Sequence, residues 1–483
     1  MSAFLSHACL HRLCAISLCL VGIALCVPAF SQTRNQPQSA PAADAHFNVA
    51  QTQSHAPALT LASASDLERQ TIQSLLQSDR WVKRAVAAVR LERFTCPQSA
   101  DDLIKLLADP SPFVRAFAIR ALAIRKIPQA PNWLLNEEDP AVIRAALRNG
   151  FTIDSARIVR GVQALLRMDD LRDKLIGVEI AAASSIPALV EPATQTARTI
   201  ILRMDRMQAG AFSPRLCQLT GAPDPRKPYE WENWILKIGR RFKLHSGPLN
   251  DLADRLPLDD SIAALSSEDF ASLETYMQEL GQSPLDLAIC IDTTASMSDV
   301  LSAAQAGMDD LMLFARNSAA DARLGVVAYR DRRDKYETLV FDLTDDLERA
   351  RTQLWSLDAD GGGDTPESVY KGLHHALASL SWREDSRKVL ILIGDAPPHV
   401  GEGELCVDLA RRAHALLKLT THCIAAEGKP VKFFDEIAEV GHGRVVNLKD
   451  ESDLVAQIVG LSLGDRFDTQ FREFFQMYLQ LCR

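Results

Sequence analysis

The pattern of hydrophobic and polar positions divides the chain into segments with different periods. An uncharged apolar run, Leu13–Val27, follows a weakly basic start (His7, His11, Arg12) and precedes the small-residue pattern Ala29-Phe30-Ser31. That arrangement reads as an export leader, residues 1–31, cleaved before Gln32. The run is short for a membrane span, which needs about 20 apolar residues. Left uncleaved, it would act as an anchor instead. Residues 32–65 are rich in Gln, Ala, Ser and Thr, lack a hydrophobic period and read as a flexible linker.

Residues 66–206 have a helical period that recurs. Ser78-Asp79-Arg80-Trp81-Val82-Lys83-Arg84, Asp109-Pro110-Ser111-Pro112-Phe113-Val114-Arg115 and Asp139-Pro140-Ala141-Val142-Ile143-Arg144 share one layout, and Asp169-Asp170-Leu171-Arg172 is a weaker fourth. In each unit an Asp suits a helix N-cap and a Pro the first turn. The apolar anchors Val82, Val114, Ile143 and Leu171 face a neighbouring helix. A helix pair of this kind cannot bury its face alone, so the units are expected to stack into an α-solenoid. Arg84, Arg115, Arg144 and Arg172 are expected to bond the acidic cap of a neighbouring unit rather than form a basic ligand patch.

Residues 207–283 read as a helical connector. It holds an amphipathic helix with Trp231 and Trp234 as core anchors and a second helix capped at Ser266-Ser267-Glu268-Asp269. From Pro284 to Gly464 short apolar runs alternate with helical segments. Strands are expected at Leu287–Asp292, Leu324–Tyr329, Glu337–Asp342, Lys388–Gly394, Thr421–Ala426 and Arg444–Leu448. Helices are expected at Asp299–Asn317, Asp346–Trp355, Pro366–Leu380, Glu404–Leu417, Lys432–Val440 and Asp453–Leu463. Near-continuous apolar strands between helices imply an α/β, doubly wound, mostly parallel sheet covered on both faces. Residues 465–483 read as a C-terminal helical tail.

Charge refines the picture. The formal net charge of −9 argues against nucleic acid as a partner. Residues 284–464 hold 19 Lys+Arg against 30 Asp+Glu, a surplus that favours a cation there. Four of the ten cysteines lie in the leader. Cys96, Cys217, Cys290, Cys406, Cys423 and Cys482 are scattered without a CxxC pair, which speaks against a zinc site. Cys290 and Cys423 sit in apolar strand patterns and read as buried thiols.

The candidate chemistry lies where strands end, because ligands of such sheets bind beyond the carboxyl ends of the strands. The first strand closes on Asp292-Thr293-Thr294-Ala295-Ser296. A flexible loop, Gly361-Gly362-Gly363-Asp364-Thr365-Pro366-Glu367, opens a helix. A third loop, Ile393-Gly394-Asp395-Ala396-Pro397-Pro398-His399, ends another strand. Two carboxylates, Asp292 and Asp395, and three hydroxyls, Thr294, Ser296 and Thr365, make a hard-oxygen set suited to Mg²⁺, or to Mn²⁺ or Ca²⁺. Asp331, Asp364 and His399 lie on the same rim, where His399 reads as a solvated loop side chain.

These residues carry two resemblances. The Asp-Pro starts and Val-Arg steps of residues 66–206 resemble HEAT repeats. The Asp-x-Thr-x-Ser spacing, the later Thr365 and the strand-end Asp395 resemble the metal-ion-dependent adhesion site of von Willebrand factor A domains, with Thr294 where the family usually has Ser. Val327-Ala328-Tyr329-Arg330-Asp331, Gly363-Asp364-Thr365-Pro366-Glu367 and Ile393-Gly394-Asp395-Ala396-Pro397-Pro398-His399 also resemble the subgroup found beside α-kinase domains, although no kinase-like segment is present. The resemblance implies a Rossmann-like domain whose cation is held by Asp292, Thr294, Ser296, Thr365 and Asp395 and binds an acidic group on a protein partner. It implies a binding protein, not an enzyme, with a second protein surface on the repeats; the leader adds a secreted or periplasmic location and no membrane span in the mature chain. Two other functions would use the same residues: a phosphatase-like metal-dependent hydrolase with Asp292 as nucleophile, and an envelope scaffold with a non-functional metal site. The hydrolase would need a second acid at position 294, where a Thr stands.

Overall fold

The computed structural model describes residues 65–482 apart from 224, 226, 246–261 and 364. The leader and nearly all of the linker lie outside the described residues.

The repeat region is built from α1 (Asp66–Leu76), α2 (Trp81–Leu91), α3 (Pro97–Leu106), α4 (Pro112–Ile124), α5 (Pro140–Arg148), α6 (Ser155–Arg167), α7 (Leu171–Ser184) and α8 (Pro187–Arg203). The caps follow the sequence in part. Asp139 and Asp170 accept backbone N–H groups at the starts of α5 and α7, and Asp109 accepts from Ser111 just before α4. Asp79 is exposed and caps nothing; Ser78 accepts the Arg80 N–H instead. The anchors Val82, Val114 and Ile143 are buried, and Leu171 is half-buried.

The repeated arginines tie one unit to the next. Arg84 forks onto both oxygens of Asp109, at 2.7 and 2.8 Å, and Arg115 onto those of Glu137, at 2.8 and 3.0 Å. The other two depart from this pattern. Arg144 bonds Glu179 in the interior of α7, and Arg172 reaches Asp310, outside the repeats altogether. Glu179 is buried among Arg144, Arg148 and Arg215. Burial alone would raise its pKa, but the three guanidiniums outweigh that and hold it below the ordinary carboxylate value.

The connector divides in two. Helices α9 (Arg206–Thr220) and α10 (Pro228–Ile238) continue the core of α6–α8. Trp231 is fully buried there, donates to Ser213 Oγ at 2.9 Å and meets Trp234 edge-on; Trp231 is a core residue and the half-buried Trp234 packs against that core. Helix α11 (Ser267–Gln282) packs against α1, and its Glu274 accepts from Ser74 at 2.8 Å.

The sheet comprises β1 (Leu285–Asp292), β2 (Ala322–Tyr329), β3 (Thr338–Thr344), β4 (Arg387–Gly394), β5 (Leu419–Ala425) and β6 (His442–Asn447), in the order β3-β2-β1-β4-β5-β6. Only the β2–β3 pairing is antiparallel. Helices α12 (Ser298–Ser318), α13 (Leu347–Trp355), α14 (Val369–Ala378), α15 (Gly403–Leu417), α16 (Phe434–Val440) and α17 (Leu454–Val459) accompany the strands. Leu285, Leu287, Ile289 and Ile291 point to one face, with α12, α13 and α17. Ala288 and Cys290 point to the other, with α14, α15 and α16. Cys290, Cys406 and Cys423 are buried free thiols on this second face.

The segment expected as a tail is a helix, α18 (Asp468–Cys482), but not a tail. Phe471, Phe474, Phe475 and Tyr478 are buried in a core shared by the first repeats and the sheet. Phe474 stacks on Phe117 of α4 at 5.0 Å, and Tyr478 lies 5.2 Å from Phe113 and 5.5 Å from Trp81. Arg144 and Arg148 donate to the carbonyl of Gln480, placing positive charge at the helix C-terminus, where the dipole favours it.

Two outcomes follow from this packing. Phe475→Ala should cost about 3–5 kcal/mol, the usual range for a buried Phe. Hydrogen exchange should then speed up together in peptides of α2 and of β1; deprotection of only one would show that the two cores are separate. Glu179→Gln should cost roughly 3–5 kcal/mol by leaving buried guanidiniums uncompensated. Urea denaturation checks this, and a loss below about 1 kcal/mol would refute the assignment.

Candidate functional site

Strands β1 and β4 lie side by side but continue into connections that run to opposite sides of the sheet, which opens a crevice at their carboxyl ends. Ile291 is in register with Ile393, so Asp292 falls beside Gly394 and Asp395 follows one residue on. A side chain at Gly394 would come within 2.4 Å of the Tyr329 hydroxyl and 3.6 Å of Asp292 Cβ. Only glycine allows the ends of β1, β2 and β4 to approach this closely.

The first loop is self-bonded. The Thr294 backbone N–H and hydroxyl both donate to Asp292 Oδ1 at 2.8 Å, and Thr294 Oγ1 stands 3.2 Å from Ser296 Oγ. Asp292 and Thr294 are buried and Ser296 is exposed. Asp292 Oδ2 is buried and has no hydrogen-bond partner among the described residues. Burial pushes the Asp292 carboxyl up to about 7 despite the two bonds from Thr294, and Asp395 pushes it the same way.

The second loop turns through Gly361, Gly362 and Gly363, all at positive φ (76, 70 and 135°), which glycine adopts without strain. It leans on the first loop: the Ala295 N–H donates to Gly361 O at 3.3 Å, and a Cβ on Gly362 would sit 3.0 Å from Thr294 Cβ. Thr365 follows on the exposed rim. The expected helix Pro366–Leu380 begins three residues later, at Val369. Before it, Glu367 makes a strand-like bridge with Pro398, its N–H donating to Pro397 O at 3.0 Å.

The structure thus brings Asp292, Thr294 and Ser296 together, sets Asp395 beside Asp292, and places Thr365 on the adjoining loop. Among the described residues, no group of three or more His, Cys, Asp or Glu side chains is arranged to hold an ion. His399 is not a solvated loop side chain: its Nε2 meets Asp331 Oδ1 at 2.7 Å. Asp364 lies outside the described residues.

Sequence reasoning missed two residues. Arg330 is fully buried. Its guanidinium donates to Thr293 O at 3.1 Å and to Asp358 O and Oδ1 at 2.6 and 3.0 Å, and lies 4.3 Å over the Tyr336 ring. Its own carbonyl accepts the Ser368 N–H, so one residue ties the first loop to the segments on either side of the glycine loop. The second is Glu367, buried to 3% exposure with Oε2 unpartnered. Burial, then Asp292, Asp331, Asp334 and Asp395, pushes its carboxyl up to about 8. The available signal was an acid two residues beyond the candidate Thr365, but it resembled an ordinary acidic side chain in the first turn of a helix.

Two family models match parts of the chain. Residues 69–170 match the family model of HEAT repeats and residues 286–406 that of the von Willebrand factor A domain. Over 118 residues the chain is 27% identical to an ariadne-like RING finger protein of Acanthamoeba polyphaga mimivirus; the match covers 24% of this chain and 12% of that protein's length. Among solved structures, the SpRpn10 VWA domain aligns with 16% identity and a TM-score of 0.29, over 36% of this chain and 94% of its own. The protein BatB of Bacteroides thetaiotaomicron aligns with 15% identity and a TM-score of 0.28, over 41% of this chain and 99% of its own. The chain therefore combines a helical region of HEAT repeats with a mostly parallel six-stranded sheet of the von Willebrand factor A fold.

Proposed function

We propose that the A-type domain holds a divalent cation, Mg²⁺ foremost with Mn²⁺ or Ca²⁺ as substitutes, through Asp292, Thr294, Ser296, Thr365 and Asp395. A protein partner then presents an acidic group to that ion. The observation that carries this reading is Asp292 Oδ2: a buried, unpartnered carboxylate oxygen at the convergence of three strand ends, beside two hydroxyls. A buried charge without a partner is costly, and a cation removes that cost. The donor set is all oxygen, with neither Cys nor His among the five, which suits hard ions. When bound, the ion supplies positive charge and a position open to an outside oxygen.

The chain's own residues prepare that position. Thr294 fixes one oxygen of Asp292, which leaves the other to face the ion. The Arg330 clamp holds the first loop against the glycine loop. Asp292 exposes no surface, so it is poorly placed as a nucleophile, and the domain acts as a binding module rather than a hydrolase.

The repeats supply the second protein surface. Helices α4 and α5 pack against α18, so that surface lies on the parts of the repeats away from this contact. Export to a secreted or periplasmic location rests on the leader sequence. Among the described residues no helix is long and apolar enough to cross a membrane.

Calorimetric titration with Mn²⁺ should give a binding heat for the unaltered chain. Asp292→Ala and Thr365→Ala should each weaken binding by at least about tenfold while the circular dichroism is kept. Capture of a partner from envelope extract should fail with EDTA and with either variant. Capture that survives all three would refute the reading.

A further inference from the structure

The outer face of α10 and the turn after it carry charge that the fold does not use. Trp231 and Ile235 of α10 are buried, so the opposite crest of the helix is Tyr229, Asn233 and Leu236. Tyr229 is 55% exposed and Leu236 75% exposed. The helix ends at Gly239, where φ is 56°, and a tight turn, Gly239–Arg241, follows. That turn is fastened from beneath. Arg198 of α8 donates to Gly239 O at 3.5 Å, and the His245 N–H donates to Leu219 O at 2.7 Å. Phe242 is buried, with its ring 6.0 Å from Trp234. Holding Phe242 inward turns its neighbours Arg241 and Lys243 outward.

Four cations thus crowd residues 237–243, with Leu236 beside them. Lys237, Arg240, Arg241 and Lys243 are all exposed, and among the described residues their side chains make no hydrogen bond or ion pair. Arg84 and Arg115 of the repeats, by contrast, fork onto acids of the next unit. Residues 227–245 hold five Lys+Arg against two Asp+Glu, in a chain of net charge −9. One of the two acids, Glu230, already accepts from the Lys227 N–H and the Tyr229 hydroxyl, at 3.1 and 3.2 Å. Like charges this close repel one another, and an anionic surface relieves them.

We propose that this corner of the protein docks on an anionic phospholipid surface. Lys237, Arg240, Arg241 and Lys243 meet the headgroup phosphates, and Leu236 enters the boundary beneath them. A lipid layer accepts both features at once, charge at the headgroups and apolar surface just below. An acidic protein would answer the cations and leave the protruding leucine without a purpose. The long stems of Lys and Arg keep their charges at headgroup level while the leucine goes deeper. The contact is peripheral and spans nothing. The acidic remainder of the chain is repelled by the same surface, which orients the molecule with this corner down. No residue of the strand-end site takes part, so the proposal is independent of the cation reading.

The test is flotation of the chain from Gln32 on, which keeps every described residue, with vesicles of phosphatidylcholine alone or mixed with phosphatidylglycerol. The mixed vesicles should carry the protein and pure phosphatidylcholine should not, and binding should weaken as salt screens the headgroups. Arg240→Ser, Arg241→Ser and Lys243→Ser together should lower the affinity by about tenfold or more with the circular dichroism kept. Leu236→Ser, with every cation in place, should lower it by about threefold or more. Arg411→Ser with Arg412→Ser, exposed cations of α15 that already face Asp408, should change nothing. Equal binding to both vesicles, or a triple variant within about twofold of the unaltered chain, would overturn the proposal. Should the triple variant lose its circular dichroism, Leu236→Ser and the salt series decide, because neither alters the turn. Retention by polyglutamate as strong as by the mixed vesicles, with Leu236→Ser unchanged on both, would overturn it in favour of an acidic protein.

Discussion

The ring of Phe314 is where the parts of this molecule meet. It belongs to α12, the helix that starts just after the candidate site, and it sits near the far end of that helix. Trp81 from the first repeat lies 6.1 Å away, Phe475 and Phe474 of α18 lie 5.2 and 5.9 Å away, and Phe471 lies 6.5 Å away. Apolar burial on this scale dominates the energetics of a shared core. Polar contacts then set its register. Tyr478 donates to Asp310 at 2.9 Å, Arg172 pairs with the same Asp310, and Arg80 donates to the carbonyl of Arg316 at 2.6 Å. The helix that positions Thr294 and Ser296 at one end is therefore gripped at its other end by the repeats.

The sheet was legible from sequence because its central strands are buried on both faces. β1, β2 and β4 show as near-continuous apolar runs and β5 as one in its second half, and burial of nearly every residue is why. The edge strands β3 and β6 are only partly buried and their limits were less sharp. Helix starts were legible where a cap was present, as at Asp139, Asp170 and Ser266. They failed at Pro366-Glu367, where the chain bridges to Pro398 before it turns helical. No local pattern announces that bridge, because its partner lies some thirty residues further on.

The candidate site was legible as a spacing of oxygen-bearing residues, since Asp292, Thr294 and Ser296 act within one loop. What was not legible is whatever depends on long-range neighbours. Arg330 reads as one more surface arginine until the fold closes carbonyls around it. Glu367 reads as a helix-start acid until its burial is known. The same holds for α18. Its Phe and Tyr positions form an apolar stripe, but a stripe does not name the surface that covers it.

The placement of α18 bears on the order in which the protein can be made. Synthesis runs from the first repeat to the last helix, and domains commonly fold as they emerge. Here Trp81, Phe113 and Phe117 of the early repeats each meet an aromatic ring from residues 471–478. Until that stretch leaves the ribosome, the apolar face of α2 and α4 lacks part of its cover. The nascent chain therefore carries an open greasy seam until residues 471–478 have emerged.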